Sequence, residues 1–200
     1  MSNHSLLAKK PHHGAIAMAW LLALPGFAQG AQDGRGQALF EQWQKSGQAQ
    51  GFQAYLAREH LDRVAPLYQL LRSASDWQRC GAEPFAVPPQ ALWPSVKRTL
   101  ELLEALRDKR VIGPFEVVSA YRSPALNRCA GGAANSAHSR AYAVDLWLEA
   151  PAPELCAFWK AEGQAWQMGL SRYPSGRIHI DTAGYRTWGQ DYTRATAFCQ

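Results

Sequence analysis

The chain has 200 residues, 47% apolar and 18% charged, which suits one domain with a small helical extension and excludes a disordered protein. Its formal charge is +5; residues 1–30 hold Lys9 and Lys10, and the rest carries 19 basic against 16 acidic side chains with no basic run, so composition gives no ground for nucleic-acid binding. Outside the N-terminus no apolar stretch approaches the roughly 18 residues of a membrane span, which excludes a multi-span membrane protein.

Residues 1–30 read as an export signal. Lys9 and Lys10 precede an apolar run from Ala15 to Ala23, extended through Pro25 and Phe27, and the small residues beyond suit cleavage near Ala31 or after Ala28. The expected location is therefore periplasmic or secreted. Cys80, Cys129, Cys156 and Cys199 all follow this signal, and an even number in an oxidising compartment predicts two disulfides. Sequence does not choose among the three pairings; Cys80–Cys129 with Cys156–Cys199 is the one expected. Their spacings match no zinc motif.

Residues 31–79 are expected to form a helical N-terminal extension. Ala38 to Leu61 reads as two short helices broken near Gly47–Gly51, with Phe40, Trp43, Phe52, Tyr55 and Leu56 as the apolar face, and Leu67 to Leu71 continues helically. Ser73 to Pro89 is irregular, punctuated by Gly81, Pro84, Pro88 and Pro89, and joins the extension to a main domain at 80–200. Pro94 marks a helix start, and Val96, Leu100, Leu103 and Leu106 carry that helix to about Lys109. Three alternating runs predict strands: Phe115 to Tyr121, Tyr142 to Leu148 and Arg177 to Thr182. A helix over Pro153 to Gln167 separates the last two. Helices on a small, mainly antiparallel sheet give an α+β fold.

Beyond residue 30 there are three histidines. His60 sits in a charged helical stretch and reads as an exposed helix residue. His138 lies in a loop of small residues, seven positions before Asp145. His179 and Asp181 share one strand face, about 7 Å apart at the usual rise. Asp145 is flanked by Val144 and Leu146, and a carboxylate so placed is costly to bury without a partner. Two imidazoles and one carboxylate with a fourth position for water are the usual ligands of a catalytic zinc. A His–Asp core hydrogen bond beside an unrelated strand histidine is the other reading. A Ser136–His138–Asp145 acyl-transfer triad is disfavoured, because no strand-to-helix nucleophile turn surrounds Ser136.

Ser119-Ala120-Tyr121-Arg122-Ser123-Pro124, Asn127, Gly131-Gly132, then Ser136-Ala137-His138 and Asp145 together resemble the zinc D-Ala-D-Ala carboxypeptidases. Gly169 to Pro174, Ile178-His179-Ile180-Asp181 and Arg186-Thr187-Trp188 are similar to the murein endopeptidase branch of that family, which shares its fold with hedgehog domains and vancomycin-resistance dipeptidases. The likeness spans about Pro94 to Gly189. It implies His138, Asp145 and His179 as ligands of one zinc ion, Arg122 beside the scissile carbonyl or a substrate carboxylate, and Ser136 lining the site. Asn127 is expected to fix the loop by turn hydrogen bonds. Tyr121, Tyr173 and Trp188 are candidates to line a substrate groove, with a place in the core as the alternative for each.

In many relatives an acid three residues before the last ligand serves as general base; here that position is Gly176. Asp181 is the nearest substitute, either activating water or orienting a ligand. The resemblance implies a zinc peptidase acting on the peptide stems of peptidoglycan, with endopeptidase cleavage favoured over removal of a terminal D-Ala. The absence of that acid keeps a non-catalytic cell-wall binding module as the rival.

Overall fold

The computed structural model describes residues 36–150 and 152–200, so the expected export signal lies outside the described residues. Gly36–Gln200 forms one folding unit. Helix α1 (36–43) runs into a 3-10 turn at Gln44–Ser46, which Gly47 closes in the left-handed region (φ 73°) before α2 (Gln50–Arg58). The break thus falls where the glycine pair predicts it, and Phe40, Phe52 and Leu56 are the residues buried. The short α3 (Leu67–Leu70) follows, and α4 (Trp93–Asp108) begins with Pro94 in its first turn, where a missing N–H costs nothing.

The remaining elements are β1 (Phe115–Ser119), α5 (Pro124–Cys129), β2 (Ala143–Leu148), α6 (Glu154–Trp166), β3 (Gly169–Arg172), β4 (Ile178–Asp181) and β5 (Arg186–Trp188). They build a five-stranded sheet in the order β1-β2-β4-β3-β5, antiparallel except where β5 joins β3. The fold is α+β, as the alternation predicts. Two strands and one helix have no legible pattern in the sequence. β3 and β5 span four and three residues, too few for alternation to register. α5 spans six and is set by its cap, with Ser123 Oγ accepting from Leu126 N at 3.2 Å and Pro124 opening the helix.

One sheet face supplies Val144, Leu146, Leu170 and Ile180 to an apolar cluster shared with Leu100, Leu103 and Leu106 of α4 and Leu155, Phe158 and Trp159 of α6. Each fully buried leucine there contributes about 2 kcal/mol of transfer free energy. Phe40, Phe52, Leu56 and Leu71 belong to the same cluster, so the early helices share the core of the sheet domain. Between Val117 and Ser119 the β1–β2 register shifts, interrupting the regular face predicted through Tyr121.

The edge of β1 is covered by α3 and the segment after it, which occupy donors and acceptors that would otherwise invite another strand. Val117 N donates to Gln69 Oε1 at 3.0 Å, Arg72 Nη1 donates to Val117 O at 3.0 Å, and Ala120 N donates to Arg72 O at 2.8 Å. Both expected disulfides are present, with Cα–Cα distances of 5.9 Å for Cys80–Cys129 and 5.3 Å for Cys156–Cys199. The first ties the irregular joint to the end of α5; the second ties α6 to the C-terminus. No helix among the described residues is long and apolar enough to cross a membrane.

Candidate active site

Asp145 on β2 and His179 on β4 are cross-strand partners, so the pleat puts both on the sheet face opposite the apolar cluster. His138 arrives differently. It opens a 3-10 turn, His138–Arg140, that closes through Ala141 in the left-handed region (φ 57°), with Tyr142 N donating to Ala137 O at 2.9 Å. All three side chains are buried. His138 Nε2, Asp145 Oδ1 and His179 Nδ1 form a triangle with sides of 3.2, 3.0 and 3.2 Å.

The surroundings fix which ring nitrogens carry hydrogen. His138 Nδ1 lies 2.7 Å from Ala120 O, a pure acceptor, so Nδ1 holds the proton and Nε2 presents its lone pair. Arg122 Nη2, 3.3 Å from that Nε2, agrees, since a guanidinium can only donate. His179 Nε2 donates to Asp181 Oδ2 at 2.8 Å, which leaves Nδ1 as the lone-pair nitrogen of the neutral ring. Two nitrogen lone pairs and a carboxylate oxygen therefore face one point. Such a donor set could hold a metal ion. The triangle fits one, because bonds of about 2.0 Å in a tetrahedral site set ligand atoms about 3.3 Å apart. These three residues form the one His/Asp/Glu/Cys group among the described residues with metal-ligand geometry.

Burial pushes the His138 imidazole below its ordinary value, against the pull of Asp145. Burial also opposes charge on Asp145, but His138 and His179 hold its carboxyl well below the usual carboxylate range. For His179 burial is again opposed, and hydrogen bonds to Asp145 and Asp181 raise the ring overall. A metal ion in the triangle would replace the proton shared there, the usual coupling of metal binding to proton release.

Asp181 is fully buried, and every acceptor position on it is taken. Oδ1 accepts from Ala183 N at 2.8 Å and Arg186 Nη1 at 2.9 Å; Oδ2 accepts from Arg186 Nη2 at 2.7 Å and from His179 Nε2. Its carboxyl, though opposed by burial, is lowered by His179 and Arg186. Gly169, paired with Asp181 in the sheet, leaves room for this cluster: a Cβ there would sit 2.2 Å from Asp181 Oδ2. The geometry thus gives Asp181 a fixed place behind the His179 ring and no face toward the cavity beyond it.

That cavity, of ≈ 660 Å³, opens over the three donors, and Arg122, Ser136, Tyr173 and Trp188 contribute to its wall. Arg122 donates from Nε to Ser119 Oγ at 2.9 Å and pairs with Asp145 through Nη2. Ser136 Oγ accepts from His138 N at 3.2 Å, shaping the loop it lines. The Tyr173 hydroxyl is 3.5 Å from His179 Nδ1, and burial with Asp145 raises its phenol, so it remains a donor. Trp188 packs edge-on against His179 with ring centroids 5.1 Å apart. Tyr121, by contrast, is buried away from this cavity, the core alternative for that residue. Asn127 Nδ2 donates to Ala133 O at 2.9 Å and fixes the loop as expected.

Gly176 lies in the turn joining β3 and β4 at φ 92°, where its N donates to Tyr173 O at 2.9 Å. A Cβ there would meet the Trp147 ring at 3.7 Å rather than His138, Asp145 or His179. Arg186, the residue that clamps Asp181, carries no local signal beyond its place in the Arg186-Thr187-Trp188 motif. The same holds for the cavity-lining segment Ala74–Asp76, which falls in the irregular joint.

The family model described as Peptidase M15 matches residues 69–181. The match starts earlier than the motifs alone suggest, taking in the segment that covers β1, and ends at Asp181. No curated protein and no solved structure matches the chain.

Proposed function

The chain belongs to the Peptidase M15 family, and we propose that it is an exported zinc metallopeptidase that cleaves the peptide part of peptidoglycan. The observation that carries this reading is the triangle of His138 Nε2, Asp145 Oδ1 and His179 Nδ1, three candidate metal-ligand atoms converging beneath a cavity large enough for a peptide. Two disulfides support export. His138, Asp145 and His179 would hold the ion, which when bound supplies Lewis acidity toward an amide carbonyl and an acidified water.

The chain's own residues do the rest. Arg122, fixed by Ser119 and paired with Asp145, offers its remaining N–H groups to the carbonyl oxygen as negative charge develops there. Tyr173 donates a hydrogen bond to substrate from the same wall, and Ser136 keeps the His138 loop in shape. Asp181 holds the His179 ring at the angle that presents Nδ1; its saturated oxygens favour this orienting role over proton abstraction from water.

The test is incubation of the mature, zinc-loaded protein with muropeptides and mass spectrometry of the products. Cleavage that stops on chelation and returns with zinc is the expected result; full activity in metal-stripped protein would overturn the mechanism. Product masses also separate cross-link cleavage, the expected mode, from release of a terminal residue. One observation favours a second reading, a peptidoglycan-binding module that does not hydrolyse: with Asp181 saturated, the only described carboxylates in the cavity wall are Asp76 and Asp145. Tight muropeptide binding with unchanged masses would select it.

A further inference from the structure

Among the described residues, four guanidinium groups line the cavity, those of Arg122, Arg177, Arg186 and Arg194, against the carboxylates of Asp76 and Asp145. Their situations differ. Arg122 is neutralised by Asp145 and Arg186 by Asp181, while Arg194 is exposed and its side chain has no described partner. Arg177 is held in place by neutral groups. Its Nε donates to Ser175 Oγ at 3.1 Å, its Nη1 donates to Ser75 Oγ at 2.9 Å, and its Cζ lies 5.7 Å from the Tyr173 ring centroid. No described carboxylate pairs with it, and its Nη2 makes no hydrogen bond to a described residue. Asp76, the other wall carboxylate, pairs with Arg79 at 3.1 Å.

Ordering a long cationic side chain costs rotamer entropy, which here brings no ion pair in return. What results is a fixed cation with an open edge, the arrangement that lets a planar fork grip a carboxylate at low further cost. Arg177 immediately precedes β4, two residues before His179, and both line the cavity, about 7 Å apart along extended chain. That distance is about two residues of an extended peptide.

We infer that Arg177 is a specificity-determining residue that binds a substrate carboxylate within about two residues of the cleaved bond. The inference rests on the peptidase reading of the same cavity. The carboxylate is either the α-carboxylate at the end of the peptide or one on a side chain or branch.

Three synthetic stem peptides distinguish these sources: one with all carboxylates free, one amidated only at its C-terminus, and one amidated only at its side-chain carboxylate. Calorimetry on chelator-treated protein measures binding without turnover, and zinc-loaded protein is assayed in parallel. Wild type is expected to bind one amidated peptide about tenfold more weakly than the free acid, and that peptide identifies the source. Arg177→Gln should lose the discrimination, and Arg177→Lys should fall between, keeping charge without the fork. In turnover, Arg177→Gln should raise KM for the free acid about tenfold with kcat moving less than about threefold. Circular dichroism and melting of each variant separate misfolding from lost recognition.

Wild type indifferent to both amidations, Arg177→Gln discriminating as wild type does, or no binding of any peptide would each overturn the inference. Cleavage without Arg177-dependent discrimination would leave the peptidase reading standing alone. Discrimination without cleavage of any peptide would leave the carboxylate site and remove the peptidase.

Discussion

Asp145 and His179 face one another across paired strands, whereas His138 reaches the same point from a 3-10 turn closed by an alanine in the left-handed region. On the strand side, position follows from the pleat: once β2 and β4 pair in register, every second residue faces the site, and a one-residue slip would bury Asp145 and His179 in the apolar cluster. The loop side has no such repeat. There, His138 is held by separate bonds to Ala120 O and Ser136 Oγ, and its neighbouring loop by Asn127. A sheet places side chains at a site as a by-product of its core, while a loop must secure each one individually.

Removing one ligand tests the convergence of the two halves most severely. His138→Ala leaves two donors on the sheet and should abolish stoichiometric zinc binding, with cleavage reduced on the order of a thousandfold or more; metal analysis of the purified variant alongside the muropeptide assay checks both. Retention of tightly held zinc would show the strand pair to be sufficient.

Asp181→Asn tests the support behind the strand half. Asparagine can accept through only one side-chain atom, so two of the four donors that Asp181 now accepts from are left facing an amide NH2 group. Zinc affinity, measured by competition with a chelator, should fall about 10- to 100-fold, while turnover at saturating zinc changes less. A collapse of turnover with unchanged zinc affinity would instead make Asp181 the general base.

Ala141→Gly sharpens the loop side. A residue with a Cβ costs about 1 kcal/mol in the left-handed region, and glycine removes that cost at a φ of 57°. The variant should melt about 2–4 °C higher for each kcal/mol gained, with zinc affinity little altered; a lower melting temperature would show that the Ala141 methyl, which is buried, contributes more by packing than it costs in strain.

Much of the strand half was legible in the sequence. Val144, Leu146, Ile178 and Ile180 mark the core face by alternation, and that assigns Asp145, His179 and Asp181 to the other face. The α+β class follows from the same patterns. His138 was legible only through its motif, since nothing in a loop of small residues says where an imidazole will point. Asp181 shows the limit from the other side. Its strand face could be read, but the Arg186 clamp that fills its acceptor positions crosses a turn into a strand of three residues.

The sequence by itself determined which side chains share a face, because strand periodicity is a local property of the backbone. Only the tertiary structure decided what those faces meet: the Cys80–Cys129 and Cys156–Cys199 pairing, the anchoring of Arg177 by Ser75 from 102 residues away, and the saturation of Asp181. Such meetings depend on how many weak contacts across the whole core sum to one packing, and no short stretch of residues encodes that sum.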